Sequence, residues 1–239
     1  MALPFFYKAD LNVAATEVVL DEETSKHVAQ VLRMQNDDQL QITDGKGSLI
    51  TATIADNNKK KCTVKILSST IQQASPKKIS IAVSLLKNAH RFEWFLEKAT
   101  EIGVNEIVPL LCTRTEKQHF RFERMNSILI SAMLQSQQTW LPVLQEPTKF
   151  TEYVKHIKGD DATLKKFIAH CGSDEPRVEL YTCKQFDNAI VLIGPEGDFT
   201  IDEIELAAEN NFVPVALGNT RLRTETAAVV AVTVLRTMG

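Results

Sequence analysis

Hydrophobic and polar positions alternate with a period of two over residues 39–43, 49–54 and 62–67, which predicts three half-buried strands. Asp44-Gly45-Lys46-Gly47 and Asp56-Asn57-Asn58 separate them with turn residues. Before them, His27, Val28, Val31 and Leu32 share one helical face after an acidic start at Asp21-Glu22-Glu23. Residues up to about 70 therefore predict a small β-rich domain with one helix. The polar, proline-bearing run Gln72-Gln73-Ala74-Ser75-Pro76-Lys77-Lys78 marks a boundary, giving expected domains over 1–72 and 77–239.

Beyond that boundary the period changes. Apolar runs at 79–86, 106–111, 166–170, 189–193 and 212–217 predict strands. Between them, Phe92, Phe95, Leu96, Ala99 and Ile102 recur at helical spacing until Gly103, and Met125, Ile128, Leu129, Ala132 and Met133 mark a second helix. Thr200-x-x-Glu203 is a capping box that opens a third over 201–210. Strands alternating with helices imply an α/β fold with a mainly parallel sheet covered on both faces. The last helix has almost no polar face from Ala227 to Leu235. It is expected to be buried nearly all round, most simply by packing against a second subunit.

Composition narrows the class. A chain of 239 residues with 44% hydrophobic content builds a substantial core. The apolar stretch at its end is far short of a membrane span, and Met1-Ala2-Leu3-Pro4-Phe5-Phe6-Tyr7 lacks the basic and apolar regions of a leader. A cytoplasmic protein with no membrane partner is expected. Cys62, Cys112, Cys171 and Cys183 form no C-x-x-C pair, which fits a reducing compartment. His170, Cys171 and Cys183 lack a fourth ligand at metal-site spacing, so no metal is expected. A net charge of −3 does not advertise a nucleic-acid binder, so any RNA surface must concentrate its basic residues on one face.

The candidate chemistry lies in two loops, each following a predicted strand. The first is Ile193-Gly194-Pro195-Glu196-Gly197-Asp198-Phe199-Thr200 and the second Leu217-Gly218-Asn219-Thr220-Arg221-Leu222-Arg223-Thr224-Glu225-Thr226-Ala227. Ligands of open α/β sheets bind at the carboxyl ends of strands, so the two loops predict one pocket for a flat or phosphorylated molecule. The first loop lacks the spacing and the lysine of a P-loop and is not the G-x-G-x-x-G dinucleotide fingerprint, which disfavours a nucleotide hydrolase. Glycines that only make tight turns, and a solvated helix start capped by Thr224 with Glu225 answering its dipole, are the bland readings of the same residues.

These loops resemble those of the SPOUT superfamily of methyltransferases, most closely the RsmE-type enzymes that methylate N3 of a uridine in 16S ribosomal RNA. The resemblance also rests on His27-Val28-x-x-Val31-Leu32-Arg33, on Asp44-Gly45-x-Gly47, on Arg91-x-Glu93-Trp94 through Lys98-Ala99-Thr100-Glu101-Ile102-Gly103, and on Gln135-Ser136 with Pro142. It implies an N-terminal PUA-like RNA-binding β-barrel, a C-terminal methyltransferase domain tied in a trefoil knot, and a homodimer. It further implies S-adenosylmethionine (SAM) as methyl donor, held by Ile193, Gly194, Glu196, Gly197, Leu217, Gly218, Leu222, Arg223 and Thr226. Arg223, and after it Arg114, are the implied catalytic arginines; Arg33, Lys87 and Arg91 are implied to meet RNA of the small ribosomal subunit. The chain departs from the family at Asp198, where Gly is frequent. It departs again at Ser131 to Gln138, which lacks a helix-ending arginine, and at Leu3-Pro4-Phe5-Phe6, which lacks another. A different RNA base or a ribose 2'-hydroxyl as target, and a non-catalytic assembly factor, are the competing readings.

Overall fold

The computed structural model describes residues 3–116, 119–157, 163–172, 177–183 and 186–238. It divides into two compact units, Met1–Ala74 with Met133–Leu141, and Ser75–Ala132 with Pro142–Gly239.

The first unit contains β1 (Phe5–Tyr7), β2 (Glu17–Val19), β3 (Gln39–Thr43), β4 (Ser48–Asp56) and β5 (Thr63–Ile71), which form one sheet in the order β1-β3-β4-β5-β2. Only the β1–β3 pair is parallel. The period-two pattern sends Leu40, Ile42, Ile50, Ala52, Ile54 and Val64 inward, where all are buried. The segment 133–141 joins this unit because Gly47 N–H donates to the Thr139 carbonyl at 2.9 Å and Leu141 N–H to the Gly45 carbonyl at 2.8 Å.

Helix α1 (Glu22–Lys26) is capped by Asp21, whose carboxylate accepts the Thr24 N–H. The helix after it differs from the sequence expectation. Residues His27–Val31 form a π-helical turn, with Leu32 N–H donating to the His27 carbonyl. The extra residue in that turn rotates the side chains out of phase. Val28 stays buried while Val31 and Leu32 are 66% and 43% exposed, so the four residues do not share one buried face.

The second unit has β6 (Lys78–Ser84), α2 (Ala89–Ile102), β7 (Glu106–Leu111), α3 (Phe122–Gln135, whose last turn belongs to the first unit), β8 (Val143–Leu144), β9 (Thr148–Lys149) and α4 (Phe150–His156). It continues with β10 (Leu164–Ala169), β11 (Val178–Glu179), β12 (Asn188–Ile193), α5 (Ile201–Glu209), β13 (Val213–Ala216) and α6 (Thr224–Thr237). The strands run parallel in the order β11-β13-β10-β12-β6-β7-β8, with β9 also beside β7. Central β12 is buried from Ala189 to Ile193, as strands covered on both faces require.

Two helix termini follow their sequence signals. Gly103 ends α2 in the left-handed region, its N–H donating to the Ala99 and Thr100 carbonyls. Thr200 and Glu203 form the reciprocal capping box of α5. At α6 the cap position falls on Arg223, which makes no side-chain cap bond, and Thr224 is already helical. Helix α6 packs against α2, β6 and β12. Its inner face (Ala228, Ala231, Val232, Leu235) is fully buried, but Val229, Val230 and Val234 are only half-buried and Thr233 is exposed. Burial on every side is therefore not reached within one chain.

Candidate functional site

Three neighbouring strands, β12, β10 and β13, end at one cavity of about 540 Å³, within the size range of small-ligand pockets. From the β12 end come Ile193, Gly194, Pro195, Glu196 and Asp198; from β13 comes the run Val215 to Thr224, with Ala227 behind it. The third wall is Ala169, His170 and Cys171 at the end of β10 with Arg177, and the sequence carries no sign of it as a ligand wall. Its loop carries no glycine-rich signature, and only the sheet order sets it beside the other two.

Of the residues expected to hold a ligand, Ile193, Gly194, Glu196, Leu217, Gly218, Leu222 and Arg223 line the cavity. Gly218 has φ +112°, and a Cβ added there would meet no atom within 4 Å, so the backbone is open to close approach. Gly194 is explained differently. A Cβ there would lie 3.1 Å from the Phe199 ring, so the missing side chain makes room for protein packing. Gly197 and Thr226 are not among the described lining residues. Gly197 faces away toward Arg114, whose Cδ would sit 3.3 Å from an added Cβ.

Arg114 is also outside the cavity lining. Its NH1 group donates to the carbonyls of Gly197 at 2.6 Å and Phe199 at 3.3 Å, which ties the loop after β7 to the loop after β12. The Arg114 segment is itself held by a buried carboxylate: Glu203 Oε1 accepts the N–H and hydroxyl of Thr113, while its Oε2 accepts from Thr200. On the other side, Ser84 Oγ and Thr115 Oγ1 are hydrogen-bonded and Thr115 Oγ1 accepts the Cys112 N–H. Burial, with the Glu203 charge beside it, pushes the Cys112 thiol up to about 12.

Arg223 is exposed and lines the cavity, and among the described residues its guanidinium has no hydrogen-bond or ion-pair partner. The expected RNA contacts divide. Arg33 is exposed in the first unit, at φ +54° after the π-helical turn. Lys87 is exposed in the second unit and paired with Glu116 at 2.7 Å; that hydrogen bond and charge raise its pKa. Its backbone N–H reaches Glu196 Oε1 at 3.4 Å. Arg91 is half-buried with its Nε 3.7 Å from Glu225 Oε1, so its charge is already partly answered inside the unit. Among the described residues no helix is long and apolar enough to cross a membrane.

Fold and site together define a two-unit protein whose parallel α/β unit gathers three strand-end loops around a small-ligand pocket. Residues 73–236 match the family described as RNA methyltransferase domain, and residues 20–67 match the RNA methyltransferase PUA domain. The chain belongs to the RNA methyltransferase family. It is 31% identical to the ribosomal RNA small subunit methyltransferase E of Buchnera aphidicola subsp. Acyrthosiphon pisum, over 92% of this chain and 87% of that protein. A crystal structure of a probable rRNA-methyltransferase from Porphyromonas gingivalis superimposes with TM-score 0.87 at 35% identity, over 96% of this chain and 95% of the other. A ribosomal RNA small subunit methyltransferase E from Neisseria gonorrhoeae, solved with bound SAM, superimposes with TM-score 0.86 at 27% identity, over 97% and 95%.

Proposed function

We propose that the protein transfers a methyl group from SAM to N3 of a uridine in 16S ribosomal RNA of the small subunit. The observation that carries this reading is that every residue lining the cavity lies within the segment matched to the RNA methyltransferase family. The pocket suits such a donor: its size fits, and open backbone at Gly218 offers amide and carbonyl groups to an adenine and ribose. When bound, SAM supplies an electrophilic methyl group.

The chain's own contribution is electrostatic and positional. The N3 proton of uridine is weakly acidic, and each pKa unit above ambient pH costs about 1.4 kcal/mol. Arg223, exposed on the cavity lining and without a partner among the described residues, stabilises the developing imide anion at a base carbonyl more than it stabilises the neutral base. Arg114 acts through the loop whose carbonyls it holds. Arg33, Lys87 and Arg91 contribute charge toward the RNA backbone.

The wider architecture follows the same reading. Residues 1–72 form a PUA-like RNA-binding barrel, and 77–239 form the methyltransferase domain with a trefoil knot near its end, except that 133–141 pack with the first unit. The placement of β13 between β11 and β10, while the following α6 packs on β6 and β12, supports a threaded chain. Half-buried Val229, Val230 and Val234 support a homodimer. The protein acts in the cytoplasm, where ribosomal RNA is.

Calorimetric titration with S-adenosylhomocysteine (SAH), followed by methyl transfer to small-subunit RNA, tests this reading. Saturable binding and loss of transfer when the target uridine is blocked at N3 are the expected results. Transfer that survives the block would move the target to a ribose hydroxyl or another base. RNA binding without SAH binding would leave a non-catalytic assembly factor. Arg223→Ala is expected to lower turnover by about 10²-fold or more while changing RNA affinity much less; unchanged turnover removes this arginine from the mechanism.

A further inference from the structure

Asp198 connects two walls of the cavity. Its Oδ2 accepts the backbone N–H groups of Cys171 at 2.8 Å and Gly172 at 3.1 Å, both immediately after β10. Its Oδ1 accepts the N–H of Phe199 at 2.8 Å, and its own N–H closes a turn onto the Pro195 carbonyl at 2.9 Å. All of this is built on a residue at φ +65°. That region is unfavourable for any residue with a Cβ, although Asp and Asn tolerate it better than most. Glycine would meet the backbone requirement at lower cost, so the turn by itself does not account for a carboxylate here.

On the other wall, Cys171 and Gly172 are exposed just beyond the paired end of β10. His170 is 4% exposed, and neither ring nitrogen has a hydrogen-bond partner among the described residues. The Arg177 guanidinium reaches the His170 carbonyl, but both residues belong to the same stretch after β10. Two N–H groups donating to one carboxylate oxygen are charge-assisted and stronger than neutral pairs. They also join the segments after β10 and β12, both of which line the cavity.

We propose that Asp198 is a positioning residue, whose carboxylate clasps the β10 loop to the β12 loop and holds the methyl-donor pocket at its working width. The inference rests on the reading of this cavity as the SAM site. It concerns this chain's own side chain, since glycine at this position would supply the turn and not the clasp.

Asp198→Gly and Asp198→Asn separate the clasp from the turn. The first removes the carboxylate and relieves the backbone. The second keeps the left-handed tolerance and leaves one oxygen able to accept from Cys171 and Gly172. Three readouts apply to the full chain: SAH affinity by calorimetry, amide hydrogen exchange at Cys171 and Gly172, and KM for SAM against kcat. Asp198→Gly is expected to unfold cooperatively like the parent, to bind SAH about five- to twenty-fold more weakly, to exchange faster at both amides, and to raise KM more than it lowers kcat. Asp198→Asn is expected to recover a large part of the affinity. An Asp198→Gly protein with parental affinity and parental exchange would overturn the proposal, as would an Asn variant no better than Gly. If the parent itself fails to bind SAH, the donor reading falls, while the exchange rates at Cys171 and Gly172 still decide the clasp.

Discussion

At Gly218 the backbone stands at φ +112° over open space, so a side chain there is excluded by conformation and not by contact. Gly218→Ala is expected to cost about 1–2 kcal/mol of stability, seen as a lowered thermal midpoint, and to weaken SAH binding because a methyl group then occupies the approach. Gly197→Ala addresses a different neighbour: the new Cβ presses on Arg114, so its effect should track that of Arg114→Ala. The cysteines give a chemical view of the same geography. Cys171 is exposed and lines the cavity, while Cys112 is buried with its thiol pushed up to about 12. Alkylation at about pH 8 is expected to modify Cys171, to be slowed there by SAH, and to spare Cys112 until unfolding; labelling of Cys171 that ignores SAH would separate the ligand from this wall.

Among the elements, α2 and α3 are joined by a two-pronged pair in which Arg124 Nε and NH2 donate to the two Glu93 oxygens at 2.5 and 2.9 Å. The Arg124 hydrogen bonds hold the Glu93 carboxyl below its usual range. A depressed folded pKa contributes stability above the unfolded pKa, and that contribution is lost as pH falls through the folded value. Arg124→Ala is therefore expected to lower stability only slightly near neutral pH, because the guanidinium is half-exposed and solvent screens the pair. The difference from the parent should shrink in urea titrations as the pH falls below the ordinary carboxylate range. The π-helical turn at His27–Val31 shows the limit of periodicity as a guide: one added residue turns Val31 and Leu32 outward although their spacing reads as a buried face.

For the whole molecule, the half-buried valines of α6 carry the expectation of assembly. Light scattering should give twice the 26.7 kDa chain mass, and Val230→Asp is expected to shift the protein toward monomer. A parent that is monomeric at all concentrations would remove the dimer and leave those valines as ordinary surface. The first unit shows a second feature of this scale, since it completes itself with residues 133–141 from beyond the boundary near residue 74.

The sequence alone determined the strands 39–43 and 106–111, the alternating pattern of the second unit, the capping box at Thr200 and the left-handed stop at Gly103, because each depends on neighbours within a few residues. It also marked both glycine-bearing loops, whose short runs carry the family resemblance. Tertiary structure decided the rest. The strand order brought His170 and Cys171 to the cavity and turned Gly197 and Arg114 toward each other. It also gave Asp198 its two amide partners across a gap of 26–27 residues. Those facts depend on which strands lie side by side, and local propensity carries no information about pairing between segments far apart in the chain.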